Sequence, residues 1–195
     1  MAIATIERTL MPLIDALEFY SIPYHLTGSL AISIYVNTQV VQGIEVVADI
    51  KFSNVQALSV QLEKTYDVKE TAIREAIEHR GSFMLVHHDT LHKIEVVLPA
   101  YRAYSQVRQE RTQRHTLEQR TRSFRVVSLE DTILMLLESY KGGGKRTQHL
   151  WGTVLEILRA QGAQLDLPYL RLWGTALDVA PLLEQALLRA GLTKS

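Results

Sequence analysis

The chain has 195 residues, 47% hydrophobic and 22% charged, which excludes a disordered polymer and leaves room for one full domain with an appended subdomain but not for two large ones. A formal net charge of zero excludes a global field toward nucleic acid or an anionic membrane and mildly favours self-association, so a homo-oligomer is among the expected states. The absence of cysteine excludes disulfides, thiolate zinc sites and cysteine nucleophiles, and accords with a cytoplasmic protein.

Ile6, Leu10, Leu13, Ile14 and Leu17 recur at helical spacing and predict an amphipathic helix over about 5–20. Glu7, Arg8, Asp15 and Glu18 interrupt its apolar pattern, so the segment reads neither as a signal peptide nor as a membrane span. Pro23 marks the end of that helix, and a short strand over 22–26 leads through Thr27, Gly28 and Ser29 into a buried helix over 30–36. The Val- and Ile-rich run 44–50 predicts a strand, and Ser53 or Asn54 caps a helix to about 65. Another helix fits 69–80. The β-prone runs 82–88 and 91–98, separated by Asp89 and Thr90, have the spacing of a tight hairpin closed by Pro99.

From 101 to 125 the pattern weakens and arginine accumulates at 102, 108, 111, 114, 120, 122 and 125. Ser128, followed three residues on by Asp131, makes a near capping box ahead of Ile133, Leu134, Leu136 and Leu137. Three further helices fit 147–161, 167–177 and 179–190, punctuated by Gly162, Pro168 and Pro181. Mixed elements first and helices afterwards predict an α+β fold: a small mixed β-sheet flanked by helices over 1–125, followed by a helical half over 126–195.

The stretch Ile22-Pro23-Tyr24-His25-Leu26-Thr27-Gly28-Ser29-Leu30-Ala31 resembles the opening motif of bacterial nucleotidyltransferase-fold proteins, the branch of the AbiEii toxins and minimal nucleotidyltransferases. Gly43-Ile44-Glu45-Val46-Val47-Ala48-Asp49 lies where that family carries Asp-x-Asp on a strand, and His92-Lys93-Ile94-Glu95-Val96-Val97 where its third acid stands on a neighbouring strand. Segments 128–134 and 165–170 are similar to its helical tail, so the resemblance spans about 5–190.

The resemblance implies attack of a protein or RNA hydroxyl on the α-phosphate of a nucleoside triphosphate (NTP), assisted by Mg2+. Paired ions about 3.5–4 Å apart need several carboxylates on one rigid surface, and residues i and i+2 of a strand supply them because they share a face. Here the first of those positions is Gly43, which offers no carboxylate. Glu45 and Glu95 stand at the other two, each longer than aspartate by a methylene, and are the candidate catalytic and metal-binding residues. Asp49 shares the parity of Glu45 but lies some 13 Å further along an extended strand. The branch also places an arginine where Gln39 stands and a lysine where Leu136 stands. Gly28, Ser29 and Lys93 are the candidate nucleotide-binding residues. Gly28 and Ser29 read either as a triphosphate cradle at a helix N-terminus or as a glycine turn with a serine cap.

The resulting expectation is a protein of this fold with a degenerate site, inactive or impaired, that binds a nucleotide, RNA or protein partner. An active Mg2+-dependent transferase, possible as a toxin of a toxin–antitoxin pair, is the alternative. Gly142-Gly143-Gly144-Lys145 lacks phosphate-loop spacing and reads as a loop ending a helix. His87, His88 and His92 straddle the hairpin, but adjacent strand residues face opposite sides and leave at most two ligands together. The arginine stretch suits a contact with RNA or a phosphorylated partner, or equally an ordinary solvated face or hairpin, and Trp151 and Trp173 fall at positions expected in the core.

Overall fold

Apolar periodicity of 3.6 and 2 decides most elements of the chain. The computed structural model describes residues 3–36, 41, 43–116, 122–143 and 147–192. They fall into two units, one comprising 1–31 with 40–127 and the other 32–39 with 128–195.

The first unit is built on a seven-stranded mixed sheet. Its strands are β1 (Tyr24–Thr27), β2 (Ile44–Ala48), β3 (Tyr66–Asp67), β4 (Ser82–His87), β5 (Lys93–Val97), β6 (Gln113–Thr116) and β7 (Ser123–Val126), ordered β3-β4-β5-β2-β1-β7-β6. β2 runs parallel to β5 and β1 to β7, while the other pairs are antiparallel. Alternation divides the side chains between two faces. Leu26, Val46, Leu85, Ile94 and Val96 are fully buried on one of them. Helices α1 (Ile3–Phe19), α3 (Val55–Leu62) and α4 (Glu70–His79) pack on that side, where Leu10, Ile14, Leu17, Leu58 and Ile73 complete the core. The Tyr66 hydroxyl ties β3 to α1, donating to the Thr9 carbonyl at 2.7 Å and accepting from Leu13 N–H at 3.0 Å.

The opposite face carries His25, Thr27, Glu45, Val47, Ser82, Met84, Lys93 and Glu95, as the strand registers require. α5 (Ala103–Glu110) presents the buried Tyr104, Ser105 and Arg108. α2 (Gly28–Tyr35) follows β1 without a spacer.

In the second unit, α6 (Leu129–Gly143), α7 (Gln148–Gln161), α8 (Leu167–Ala176) and α9 (Ala180–Ala190) enclose Ile133, Leu137, Val154, Ile157, Leu170, Leu183 and Leu187. Ser128 caps α6 by accepting from Asp131 N–H at 3.1 Å, and its hydroxyl donates to Asp131 Oδ2 at 2.6 Å. Tyr169 donates to the other carboxylate oxygen at 2.7 Å, so buried Asp131 is held by hydrogen bonds on both oxygens. Asp166 accepts from Tyr169 N–H at 3.0 Å and starts α8.

The structure departs from the sequence expectations in three places. The 101–125 stretch holds α5, which its weak pattern concealed, and the antiparallel β6–β7 pair, which agrees with the hairpin reading of the arginine stretch. β3, two residues long, was too short to show alternation. Trp151 and Trp173, expected in the core, are only half-buried: Trp151 stacks beside Tyr140 at 5.3 Å under the Arg189 guanidinium, and Trp173 lies 6.4 Å from Tyr169 at the edge of the helices. α6 ends at Gly143, and Gly144, Lys145, Gln39 and Arg120 lie outside the described residues. Among the described residues no helix is long and apolar enough to cross a membrane.

Candidate functional site

Parallel pairing of β2 with β5 sets Glu45 directly opposite Glu95. Adjacent strands are about 4.8 Å apart, so two acids fifty positions apart in sequence face the same way from one rung. Lys93 shares that face one step along β5, and Gly43 stands just before β2. The turn from β1 into α2 brings Gly28 and Ser29 to the same place, and all six residues line a cleft of about 270 Å3 with Met84 at its side.

Gly28 has φ +67°, a left-handed conformation that glycine adopts without strain. A β-carbon there would lie 3.4 Å from Glu45 Cβ and 3.5 Å from Glu45 Oε2, so the missing side chain also gives the Glu45 carboxylate its place against the turn. The Ser29 hydroxyl donates to the Gly43 carbonyl at 3.0 Å and accepts from the Gly43 N–H at 3.3 Å. Its contacts thus fasten the start of β2 to the start of α2.

The charges are unequally compensated. Glu45 is half-buried, and its pKa is raised first by burial and then by the neighbouring Glu95 charge, against a smaller opposing pull from Arg108. Glu95 is steadied by Ser82, whose hydroxyl donates to Oε1 at 2.7 Å. Arg108 projects from α5 with only 7% of its surface exposed, and its charge acts on both Glu45 and His25. Sequence reading left Arg108 within a stretch suited to an RNA contact, a solvated face or a hairpin, and did not single out Ser82. The signals were the helical spacing of Tyr104 and Arg108 and the shared strand parity of Ser82 and Met84, which faces Glu95.

Two carboxylates on one rung suit a single hard divalent cation, with phosphate and water oxygens completing its shell. They do not fit a two-ion centre, because Gly43 has no side chain. Asp49 offers no replacement: β2 ends at Ala48, and both Asp49 oxygens accept from Lys51 Nζ, at 2.7 and 2.8 Å. Among the described residues no three metal-ligating side chains cluster. His87 is buried on the core face, accepting from Thr90 N–H at 3.2 Å and meeting the Tyr66 ring edge-on, away from exposed His88. Three arginines of 101–125 find separate partners: Arg114 donates to Ser123, Arg122 pairs with Asp15, and Arg125 donates to Thr112.

No protein-family model matches the chain, and no curated protein matches it in sequence. Eight chains of known structure match it in fold. An antigenic nucleotidyltransferase-like protein from Paracoccidioides brasiliensis superposes with a TM-score of 0.50 at 16% identity, over 93% of this chain and 92% of its own. The fold is nucleotidyltransferase-like. The antibiotic-resistance factor ANT(2'')-Ia aligns with a TM-score of 0.51 at 13% identity, over 93% of this chain and 97% of its own. The lincosamide antibiotic adenylyltransferase LnuA, lincomycin-bound, aligns at 14% identity over 77% of this chain and 95% of its own, with a TM-score of 0.47. Within the nucleotidyltransferase-like sheet, β2 and β5 carry the acids and the β1–α2 turn stands beside them.

Proposed function

We propose that this protein uses its nucleotidyltransferase-like fold chiefly to bind, with transferase chemistry impaired or lost, and that the ligand of the Glu45–Glu95 cleft is a nucleotide. The observation that carries this reading is residue 43: the rung beside Glu45 ends in a glycine whose backbone is held by Ser29. One carboxylate is therefore missing where in-line displacement between two ions would need it. Arg108 supports the same reading, since a buried fixed cation already supplies part of the positive charge that Glu45 requires. Gly28 and Ser29 would border the phosphates, with Lys93 and any Mg2+ on Glu45 and Glu95 offsetting their charge. A cytoplasmic location accords with the cysteine-free composition.

The Glu45–Glu95 register favours a second reading, in which a single cation between the acids sustains transfer of a nucleotide to a protein or RNA hydroxyl, extending to a toxin role through the branch resembled. Thermal unfolding with each NTP, with and without Mg2+, tests the binding. At about a hundred times the Kd a ligand adds about 2.7 kcal/mol, which raises the Tm of a chain this long by roughly 5–10 °C. No shift with any nucleotide overturns the nucleotide reading and leaves an RNA or protein partner. Transfer of labelled nucleotide that vanishes in both Glu45→Ala and Glu95→Ala overturns the impaired-enzyme reading instead.

A further inference from the structure

A second and larger cleft, of about 600 Å3, opens on the same sheet face between the ends of β1 and β2 and the segment from Pro99 through α5. Its volume is in the range of small-molecule sites. Pro23, Val47 and Pro99 give apolar wall, and His25 and Ser105 also line it.

The protonation of His25 follows from geometry. The Gln109 amide nitrogen donates to the Tyr24 carbonyl at 3.2 Å, which fixes the amide so that its oxygen faces His25 Nδ1 at 2.7 Å. That oxygen only accepts, so Nδ1 carries the proton and Nε2 presents a lone pair. Nε2 is buried without a hydrogen-bond partner, in a residue 1% exposed. The Ser105 hydroxyl, in a residue 7% exposed, is likewise buried without one. Two unsatisfied polar atoms in residues lining one cleft depart from the rule that buried polar groups are paired. Burial, with the Arg108 charge adding to it, also keeps the ring neutral, with a pKa lowered to about 4.

The charged side chains that line the cleft balance: Asp49 and Glu110 against Lys51 and Arg102. With no surplus charge and an acceptor at His25, the cleft disfavours phosphate, whose oxygens are acceptors too. We propose that this cleft binds an uncharged molecule of nucleoside size that donates an N–H or O–H to His25 Nε2, with Ser105 as a second polar contact. Because neither atom is solvent-exposed, binding requires side chains of the cleft wall to move. The site is separate from the Glu45–Glu95 cleft and does not depend on its occupant.

The test uses the full chain without Mg2+ and three probes: adenosine, adenine and ribose. In 15N spectra of the imidazoles, the His25 Nε2 signal is expected to be of the unprotonated type and to move saturably with adenosine. The arm that reproduces the movement identifies base or sugar as the donor. His25→Phe, which removes the acceptor, is expected to weaken adenosine binding about tenfold or more, and Ser105→Ala, which deletes one hydroxyl and serves if the first variant does not fold, about threefold or more. The proposal is overturned if no probe moves the His25 Nε2 signal, or if the folded variants bind adenosine as the parent does. The Mg2+-dependent NTP shift is a separate readout, so either site can fail alone.

Discussion

Gly43→Asp restores the carboxylate that the β2 rung lacks, and its effect on Mg2+ binding follows from the geometry. A β-carbon at 43 meets nothing within 4 Å, and the backbone contacts with Ser29 need no side chain at 43, so the substitution is sterically free. Gly43 lines the same cleft as Glu45 and Glu95, which places the new carboxylate beside them. Unit charges 4 Å apart interact by about 1 kcal/mol in bulk water, the conservative medium for an exposed position. A divalent ion should therefore gain about 2 kcal/mol, a roughly 30-fold tightening. Isothermal titration of Mg2+, or Mn2+ as a stronger ligand-seeking probe, reads this directly. Gly43→Asn, similar in size and uncharged, should stay near the parent. If Gly43→Asp binds the ion no more tightly than Gly43→Asn, the assignment of residue 43 as the missing ligand position is wrong.

Glu45→Gln should raise Tm at pH 7.5 relative to its effect at pH 4. The folded pKa lies above the ordinary 4.5, so the cost of ionising Glu45 is absent in acid and grows as pH rises through that value; an equal effect at both pH values refutes the claim. For His25, with a folded pKa of about 4 against 6.5, stability is full above pH 6.5 and falls toward pH 4 as the unfolded chain takes up the proton first. The loss is on the order of 3 kcal/mol, visible as a steeper acid decline of Tm in the parent than in His25→Phe. Gly28→Ala forces a left-handed alanine and should cost about 1–2 kcal/mol, lowering Tm by roughly 2–8 °C, whereas Gly81→Ala, which meets open space, should be near neutral. Urea titration of both checks the difference.

Elements with an apolar stripe or clean alternation were legible in the sequence: α1, the β4–β5 hairpin, and α6 to α9 with their Ser, Pro and Gly punctuation. β6 was not, because Gln113, Arg114 and Thr116 are exposed and its backbone pairing with β7 leaves no hydrophobic mark. α5 was concealed because Arg108 is charged yet buried, and charge reads as solvent-facing in a sequence. The cleft was legible only in part. Parity puts Glu45 and Gly43 on one face, but adjacency of β2 and β5 is a long-range fact that periodicity does not contain and that resemblance alone suggested. His25 stood in a quoted motif without being read as a site, since its unpaired nitrogen depends on a glutamine 84 residues away.

The parallel rung joining Glu45 to Glu95 also dictates when the cleft comes into being. Parallel neighbours require a long crossover, and here the crossover contains α3, β3, α4 and β4. Until that whole excursion has collapsed, the two carboxylates belong to separate stretches of chain and do not repel one another. The repulsion between Glu45 and Glu95 is thus a property of the closed β2–β5 pair and opposes that closure alone, leaving the local helices and the β4–β5 hairpin untouched.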